Sequence, residues 1–352
     1  MYKSFIRPLL FSFDSETLHN LLIRSGRLFD FPPFYRLSSK LFSFHDERLE
    51  TEVFGLKFKN PFGLAAGFDK NAEATALFSS LGFGFMEIGT IVPKPQPGNP
   101  RPRIFRLPID QALINRMGFP SKGLENARRN LEKLSSQNSP VLIAVNIGKN
   151  KETSLDSAYQ DYQESFKKLS AYTGFFVINV SSPNTPELRK LQEKTKLKEL
   201  LESIQSVNYE KKPLLVKIAP DLSESEIEDI LQVCFDCSVA GIVACNTTYS
   251  RQGLNSSILQ EGGLSGKPLF KRTVEVVSLI SKATQRKMPI IAVGGISSSE
   301  DVIEVLKAGA NLIEIYTSII YEGPRVICKL KKDLVQYLEK NKISSINDII
   351  AS

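Results

Sequence analysis

The chain has 352 residues, of which 42% are hydrophobic, so it can bury a large core and is not a disordered or fibrous protein. Its 45 lysines and arginines outnumber its 38 aspartates and glutamates, and the net charge of +7 suits an anionic substrate, a cofactor phosphate or a membrane surface. The basic residues form no long run, which argues against nucleic acid as a partner.

Residues 1–45 differ in composition from the rest, since they hold eight of the 22 phenylalanines. Asp14 or Ser15 can cap a helix with one apolar face, and Pro33 is well placed to start a second helix. Neither helix has the ~20 consecutive apolar residues that span a bilayer. The pattern predicts an amphipathic helical hairpin that lies on a membrane or binds an apolar ligand. The alternative is an ordinary helical hairpin packed on the main domain.

From about residue 60, short β-rich runs alternate with helical stretches. Helical periodicity covers 72–81, 155–172, 223–237 and 299–308. Eight runs predict strands: 63–66, 84–90, 141–147, 175–181, 213–219, 240–246, 289–294 and 311–317.

This alternation predicts an α/β fold, an eight-stranded parallel βα (TIM) barrel over 46–340, because strands covered on both sides are continuously apolar. The hairpin precedes it and a tail, 341–352, follows. A doubly wound sheet is the alternative, but the first strand is not followed by a G-x-G-x-x-G turn. The proline-rich insertion 91–111 is expected to be a rigid ordered loop over the barrel mouth.

The four cysteines are few for this length, and no cleavage site follows the N-terminal apolar stretch, which together indicate a reducing compartment. Cys234 and Cys237 form a C-x-x-C pair in a helical stretch. No second pair or nearby histidine completes a zinc site, so we expect no metal.

Catalytic groups of such barrels come from the carboxyl ends of the strands. Amides dominate those ends here, and carboxylates are nearly absent. An amide offers an acceptor beside two donors, which complements the edge of a nitrogen heterocycle, although a single strand-end asparagine more often only closes a turn. The amides in question are Asn115, Asn146, Asn179, Asn184 and Asn246.

Lys70 and Lys217 are predicted near the same rim, where an ammonium can bind a carboxylate. Lys217 also fits the strand-end lysine of a Schiff-base lyase. The last two strands end in Gly294-Gly295 and in Tyr316-Thr317, the usual phosphate position of such barrels, and Gly266 can add a backbone N–H group.

Ser182 is a poor base without help, and both histidines, His19 and His45, lie in or next to the hairpin. A Ser-His-Asp hydrolase is therefore disfavoured. Thr185 or an ordered water can relay the proton instead.

These residues occur in motifs that resemble one family, the dihydroorotate dehydrogenases, over nearly the whole chain and in order. Serine at the base position, where the soluble classes have cysteine, and the N-terminal helices indicate the quinone-linked, membrane-associated class 2. The motifs are GLAAG (63–67) with Asp69 and Lys70, NRMGF (115–119), SSPNT (181–185), KIAPD (217–221), NTT (246–248), GGLSG (262–266) and VGG (293–295).

The resemblance implies Ser182 as the catalytic base. Substrate would be held by Lys70, Asn115, Arg116, Met117, Gly118, Phe119, Asn179, Asn184, Asn246 and Thr247. FMN would contact Ala66, Gly67, Phe68, Asp69, Lys70, Thr90, Asn146, Asn179, Lys217, Cys245, Gly266, Gly295, Tyr316 and Thr317, with Cys245 contributing only its backbone.

The implied reaction is the oxidation of (S)-dihydroorotate to orotate in de novo pyrimidine (UMP) biosynthesis. Ser182 removes the C5 proton while hydride leaves C6 for the flavin, and a membrane quinone is the final electron acceptor. The quinone would enter between the N-terminal helices past His19, Arg103 and Tyr316, although His19 also fits a purely structural, buried histidine. We expect a monomer, peripheral on the cytoplasmic side of a cell inner membrane. A Schiff-base lyase and a catalytically inert, membrane-docking barrel are the remaining alternatives.

Overall fold

The computed structural model describes residues 2–136, 141–257 and 260–351, over which strands and helices alternate. The strands are β1 Thr51–Val53, β2 Leu56–Phe58, β3 Phe62–Leu64, β4 Phe85–Ile91, β5 Ile104–Leu107, β6 Ala112–Asn115, β7 Leu142–Ile147, β8 Phe175–Asn179, β9 Leu214–Ile218, β10 Gly241–Ala244, β11 Gly263–Gly266, β12 Ile290–Val293 and β13 Leu312–Ile315. The α-helices are α1 Arg7–Phe11, α2 Ser15–Gly26, α3 Pro32–Phe42, α4 Thr75–Ser79, α5 Leu124–Ser136, α6 Ala158–Leu169, α7 Lys194–Gln205, α8 Glu224–Asp236, α9 Phe270–Ala283, α10 Ser299–Lys307, α11 Thr317–Glu322, α12 Val326–Lys340 and α13 Ile346–Ala351.

Eight of the strands close into a parallel barrel in the order β3, β4, β7, β8, β9, β10, β12, β13, with β13 paired to β3. Each of the eight predicted runs overlaps one barrel strand, so the predicted βα barrel is confirmed and the doubly wound sheet is wrong. The four predicted helices correspond to α4, α6, α8 and α10 with shorter bounds. The N-terminus of α8 is capped by a capping box between Ser223 and Glu226.

Side chains alternate between the two faces of each barrel strand, so one set points into the barrel and the other toward the helices. Phe85, Val177, Leu215 and Leu312 belong to the inner cluster, which is separate from the larger cluster between strands and helices. The hairpin β1–β2 covers the amino-terminal end, where the Phe58 ring packs 5.5 Å from that of Phe85. Side chains therefore fill the barrel from its amino-terminal end, and the cavity lies at its carboxyl-terminal end.

The proline-rich insertion 91–111 is not a loop throughout, contrary to our expectation. It contains β5, which pairs with β6, and β6 in turn pairs with β11. The resulting antiparallel sheet is held by backbone hydrogen bonds and by an apolar cluster that includes Leu107, Ile114 and Leu264. Prolines flank β5 but do not interrupt its ladder, which is why the strand was not evident from composition.

The predicted N-terminal helices are present as α2 and α3. Asp14 caps α2, since its carboxylate accepts a hydrogen bond from the Thr17 N–H at 2.8 Å. The hairpin packs against α4, where a Cβ on Gly26 would lie 2.5 Å from that of Ala74. Residues 2–11 add two short helical turns that the sequence did not predict.

The carboxyl-terminal segment ends in α13, whose Ile346 and Ile349 are buried; Met1 and Ser352 lie outside the described residues. Within the described ranges, no helix is both long enough and apolar enough to cross a membrane.

Candidate active site

A cavity with about 1380 Å³ of unfilled space opens at the carboxyl ends of the barrel strands, below the β5–β6–β11 sheet. This volume includes space that is open to solvent at the mouth of the cavity. The sequence-predicted residues that line it are Ala66, Gly67, Lys70, Thr90, Asn115, Met117, Gly118, Phe119, Asn179, Ser182, Asn184, Lys217, Cys245, Asn246, Thr247, Gly266, Gly295, Tyr316 and Thr317.

Six predicted site residues do not line the cavity, namely Phe68, Asp69, Arg116, Asn146, His19 and Arg103. Asp69 is buried, and its carboxylate accepts hydrogen bonds from the backbone N–H groups of Glu73 and Ala74, just before α4. Arg116 turns outward, where its guanidinium donates to Gln260 at 3.0 Å. Tertiary structure therefore gives these two side chains partners outside the cavity.

Ser182 lies in the loop after β8 and is almost fully buried. Its Oγ accepts a hydrogen bond from the Asn184 N–H at 3.3 Å, and the Asn184 side chain donates to Oδ1 of Asn115 at 3.1 Å. Thr185 Oγ1, three positions further on, is buried with no hydrogen-bond partner among the described residues. A buried hydroxyl without a partner is costly, and it is available to a ligand or a transferred proton.

Three of the strand-end amides, those of Asn146, Asn179 and Asn246, meet in one network. Asn179 Nδ2 donates to Thr90 Oγ1 at 2.9 Å and to Asn146 Oδ1 at 3.2 Å. Asn246 Nδ2 donates to Ser181 Oγ at 3.0 Å and to Asn179 Oδ1 at 3.4 Å. The convergence predicted from the sequence is thus observed, and each contact fixes which way an amide faces.

Two carboxylates that the sequence analysis missed lie below this network. Glu87 of β4 and Glu314 of β13 have fully buried side chains, and both contact Lys217 Nζ, at 2.6 and 3.2 Å. A glutamate within a continuous apolar strand, at a position that points into the barrel, was the available signal. Both glutamates lie within their strands, before the strand ends that carry the predicted residues.

Lys217 stays charged in this setting. Burial alone would lower the pKa of its ammonium, but Glu314 and Glu87 outweigh burial and raise that pKa above its ordinary value. A Schiff-base lysine must be neutral to attack a carbonyl. The geometry therefore disfavours the lyase alternative.

Lys70 lies at the rim next to the hairpin, and burial lowers the pKa of its ammonium to about 8. Below it, Arg103 is almost fully buried and donates to both carboxylate oxygens of Glu16, at 2.9 and 2.6 Å. Such bidentate pairs hold two elements in one orientation. Glu16 belongs to α2, so this pair ties the hairpin to the barrel mouth.

The ends of β12 and β13 lie across the ring of strands from the Ser182 loop. Gly266 and Gly295 have φ values of +102° and +77°, and a Cβ on Gly295 would lie 2.6 Å from the Phe270 backbone nitrogen. Glycine lets the backbone approach closely there, and the hydroxyl of Thr317 lies at the same end. These N–H and hydroxyl donors are suited to a phosphate.

A parallel barrel whose cavity joins backbone N–H donors, converging amides and a buried ammonium has the architecture of an enzyme of the (βα)8 class. No cluster of metal-ligating side chains occurs within the described part of the chain.

Comparison with known proteins identifies the family. The family model "Dihydroorotate dehydrogenase" matches residues 48–338, and the chain belongs to that family. Its relatives named dihydroorotate dehydrogenase (quinone) include one from Christiangramia forsetii, 50% identical over 96% of this chain and 99% of the relative. Another, from Thermosynechococcus vestitus, is 48% identical over 95% and 96%. The resemblance inferred from the motifs is thereby confirmed.

Solved structures agree with this. DHODH from Eimeria tenella in complex with ferulenol superposes with a TM-score of 0.87 at 38% identity, covering 96% of this chain and 95% of that one. The ligand-free enzyme from the same organism gives a TM-score of 0.86 at 38% identity, with 94% and 97% covered.

Proposed function

We propose that this protein oxidises (S)-dihydroorotate to orotate in pyrimidine biosynthesis, with FMN as its prosthetic group and a membrane quinone as electron acceptor. The observation that carries the proposal is the single cavity in which Ser182 faces an amide network and two lysines. Family membership specifies which heterocycle those amides recognise.

The residues fit a flavin mononucleotide. The donors Gly266, Gly295 and Thr317 suit its phosphate, while Thr90, Asn179 and Lys217 offer hydrogen bonds to a polar ring. Asn146 would contribute indirectly, by accepting a hydrogen bond from Asn179, and Cys245 would contribute through its backbone. When bound, FMN accepts the hydride of the substrate and passes electrons to the quinone. The phosphate end and the amide end lie on different sides of the ring of strands, as an extended cofactor would require.

The substrate is an anion with a ureide edge, which matches the remaining groups. Asn115, Asn184 and Asn246 present amides, and Lys70 supplies a cation for the carboxylate. Thr247 and the segment 116–119 would complete the pocket.

Ser182 is the proposed proton acceptor at C5. Its burial excludes bulk water from the hydroxyl, and the contact with the Asn184 N–H orients it. Thr185, whose hydroxyl has no partner in the described structure, lies close in sequence and is the proposed relay for the proton.

The hairpin is the proposed quinone and membrane site. Eleven of the sixteen exposed large hydrophobic side chains found among the described residues lie in the first 45 residues, including Leu9, Phe31, Phe34 and Leu37. Such a patch marks an interaction surface, and cationic neighbours favour anionic lipid. His19, Arg103 and Tyr316 would be the polar residues on the quinone path. We propose a monomer that binds peripherally to the cytoplasmic side of the inner membrane.

The visible spectrum of the purified protein tests this function. We expect a yellow protein whose flavin absorbance falls on anaerobic addition of dihydroorotate and returns on addition of a soluble quinone analogue. A protein that stays colourless and inactive after FMN supplementation would contradict the proposal.

A further inference from the structure

Glu87 contacts three different groups that serve the cavity, although it does not line the cavity itself. Its Oε1 accepts a hydrogen bond from Asn146 Nδ2 at 2.5 Å. Its Oε2 accepts from Lys217 Nζ at 2.6 Å and from the Ala66 N–H at 3.3 Å. Ala66, Asn146 and Lys217 come from three separate strands or strand ends, so one carboxylate links three sides of the barrel.

The contact with Asn146 determines the direction of the amide network. Because Asn146 donates to Glu87, its Oδ1 faces upward and accepts from Asn179 Nδ2 at 3.2 Å. Asn179 in turn lines the cavity. The side-chain orientation of Asn179, which lines the cavity, is therefore determined by Glu87 through Asn146.

Glu314 touches the same lysine but differs in its other contacts. Its Oε1 has no hydrogen-bond partner in the described structure, whereas both oxygens of Glu87 are satisfied. Two buried carboxyls that share one ammonium cannot both be charged at low cost. Burial and the charge of Glu87 raise the pKa of Glu314 well above its ordinary value. Burial also acts on Glu87, but the charge of Lys217 and hydrogen bonds with Glu314, Lys217 and Asn146 outweigh it and lower the pKa of Glu87.

We propose that Glu87 is a positioning residue for the flavin: its carboxylate fixes Asn146, Lys217 and the Ala66 backbone in place beneath the cofactor and supplies the counter-charge of Lys217. Glu314 is the neutral partner: it supports Glu87 through a hydrogen bond and supplies no counter-charge to Lys217. This inference rests on the proposed function, because it assigns the group above Lys217 to a flavin ring.

Glu87→Gln and Glu314→Gln form a matched pair, since both remove one carboxyl from the same lysine without changing its size. We expect Glu87→Gln to weaken FMN binding by about tenfold or more, the worth of one charged hydrogen bond. Glu314→Gln, at a residue that lines the cavity, removes no charge and should lower the FMN affinity less than Glu87→Gln does. The double variant leaves Lys217 without any carboxylate, so the potential of its bound flavin should shift to more positive values, since an unbalanced cation favours added electron density on the ring.

FMN affinity is measured by fluorescence titration of the flavin-depleted chain, and the potential by dye-coupled titration of the reconstituted protein. Wild-type affinity in Glu87→Gln, or an equal loss in Glu314→Gln, would overturn the inference. If Glu87→Gln does not fold, Glu87→Asp decides. It keeps the charge but shortens the side chain, so affinity should fall while the potential stays at the wild-type value, and unchanged affinity would again overturn the inference. A wild-type chain that binds no flavin would instead refute the proposed function.

Discussion

The ammonium of Lys70, at the rim of the cavity, lies 3.3 Å from Nε2 of His19 on helix α2. The His19 ring also packs edge-to-face on Phe68, with ring centroids 5.6 Å apart. Burial, and then the charge of Lys70, lower the pKa of His19 well below its ordinary value. The imidazole is therefore neutral and accepts a hydrogen bond from Lys70, which joins the proposed substrate site to the proposed quinone site.

Substrate affinity should depend on the charge of Lys70. Because burial lowers the pKa of this ammonium to about 8, Lys70 is cationic below that pH and neutral above it. We expect the KM for the anionic dihydroorotate to rise as pH increases through about 8. Lys70→Met should have a higher KM with little pH dependence in this range. Steady-state assays with a quinone analogue measure this KM. A wild-type KM that stays constant from about pH 6.5 to 9.5 would contradict the role of Lys70 in binding the substrate.

Loss of the Ser182 hydroxyl should slow flavin reduction without releasing the flavin. General-base assistance contributes about 100- to 10,000-fold, so Ser182→Ala should lose that factor in the rate at which dihydroorotate bleaches the flavin in stopped flow. Ser206→Ala, at an exposed serine, is the control and should react like the wild type. A Ser182→Ala protein that reduces its flavin at the wild-type rate would require another base.

The Glu16–Arg103 pair should stabilise the fold substantially. Glu16→Gln leaves the buried guanidinium without its carboxylate, which costs about 3–5 kcal/mol in the free energy of unfolding. Glu164→Gln breaks an exposed pair with Lys168 and should cost less than about 1 kcal/mol. Urea denaturation measures both. Equal midpoints for the two variants would contradict the prediction.

The Glu16–Arg103 pair should also make the stability of the fold depend on pH in the acid range. Burial alone would raise the pKa of Glu16, but the neighbouring arginines outweigh it and lower that pKa. A lowered carboxyl pKa stabilises the fold above the ordinary glutamate pKa, and this contribution is lost as pH falls through the lowered value. The difference in stability between wild type and Glu16→Gln should therefore shrink on acidification.

Acidic substitutions on the exposed face of α3 should weaken membrane binding without slowing the reduction of the flavin. Leu37 and Leu41 are 57% and 50% exposed, so the double change Leu37→Asp/Leu41→Asp should leave the fold intact. Vesicle co-sedimentation and reduction of a membrane quinone should fall, while flavin reduction by dihydroorotate stays unchanged. Tyr209→Asp, at an exposed aromatic elsewhere on the surface, is the control. Undiminished vesicle binding by the double variant would argue against the hairpin as the membrane surface.

Much of the fold was accessible from local patterns. Parallel strands buried on both faces are apolar throughout, and eight such runs were visible as eight barrel strands. β5 was not, because its pairing with β6 and β11 is set by the whole antiparallel sheet rather than by its own residues. Glu87 and Glu314 were also missed, since a strand run does not show which face closes on the barrel interior.

The sequence by itself determined the barrel, the N-terminal helices and the family, because apolar periodicity, capping residues and motifs are properties of neighbouring positions. It also brought Ser182 and the amides to one rim, since every parallel strand ends on the same side. Only the tertiary structure decided that Arg116 and Asp69 face away, that His19 touches Lys70, and that Glu87 lies beneath Asn146 and Lys217. Those relationships join residues that are far apart in the chain, and their distances depend on how the closed barrel packs.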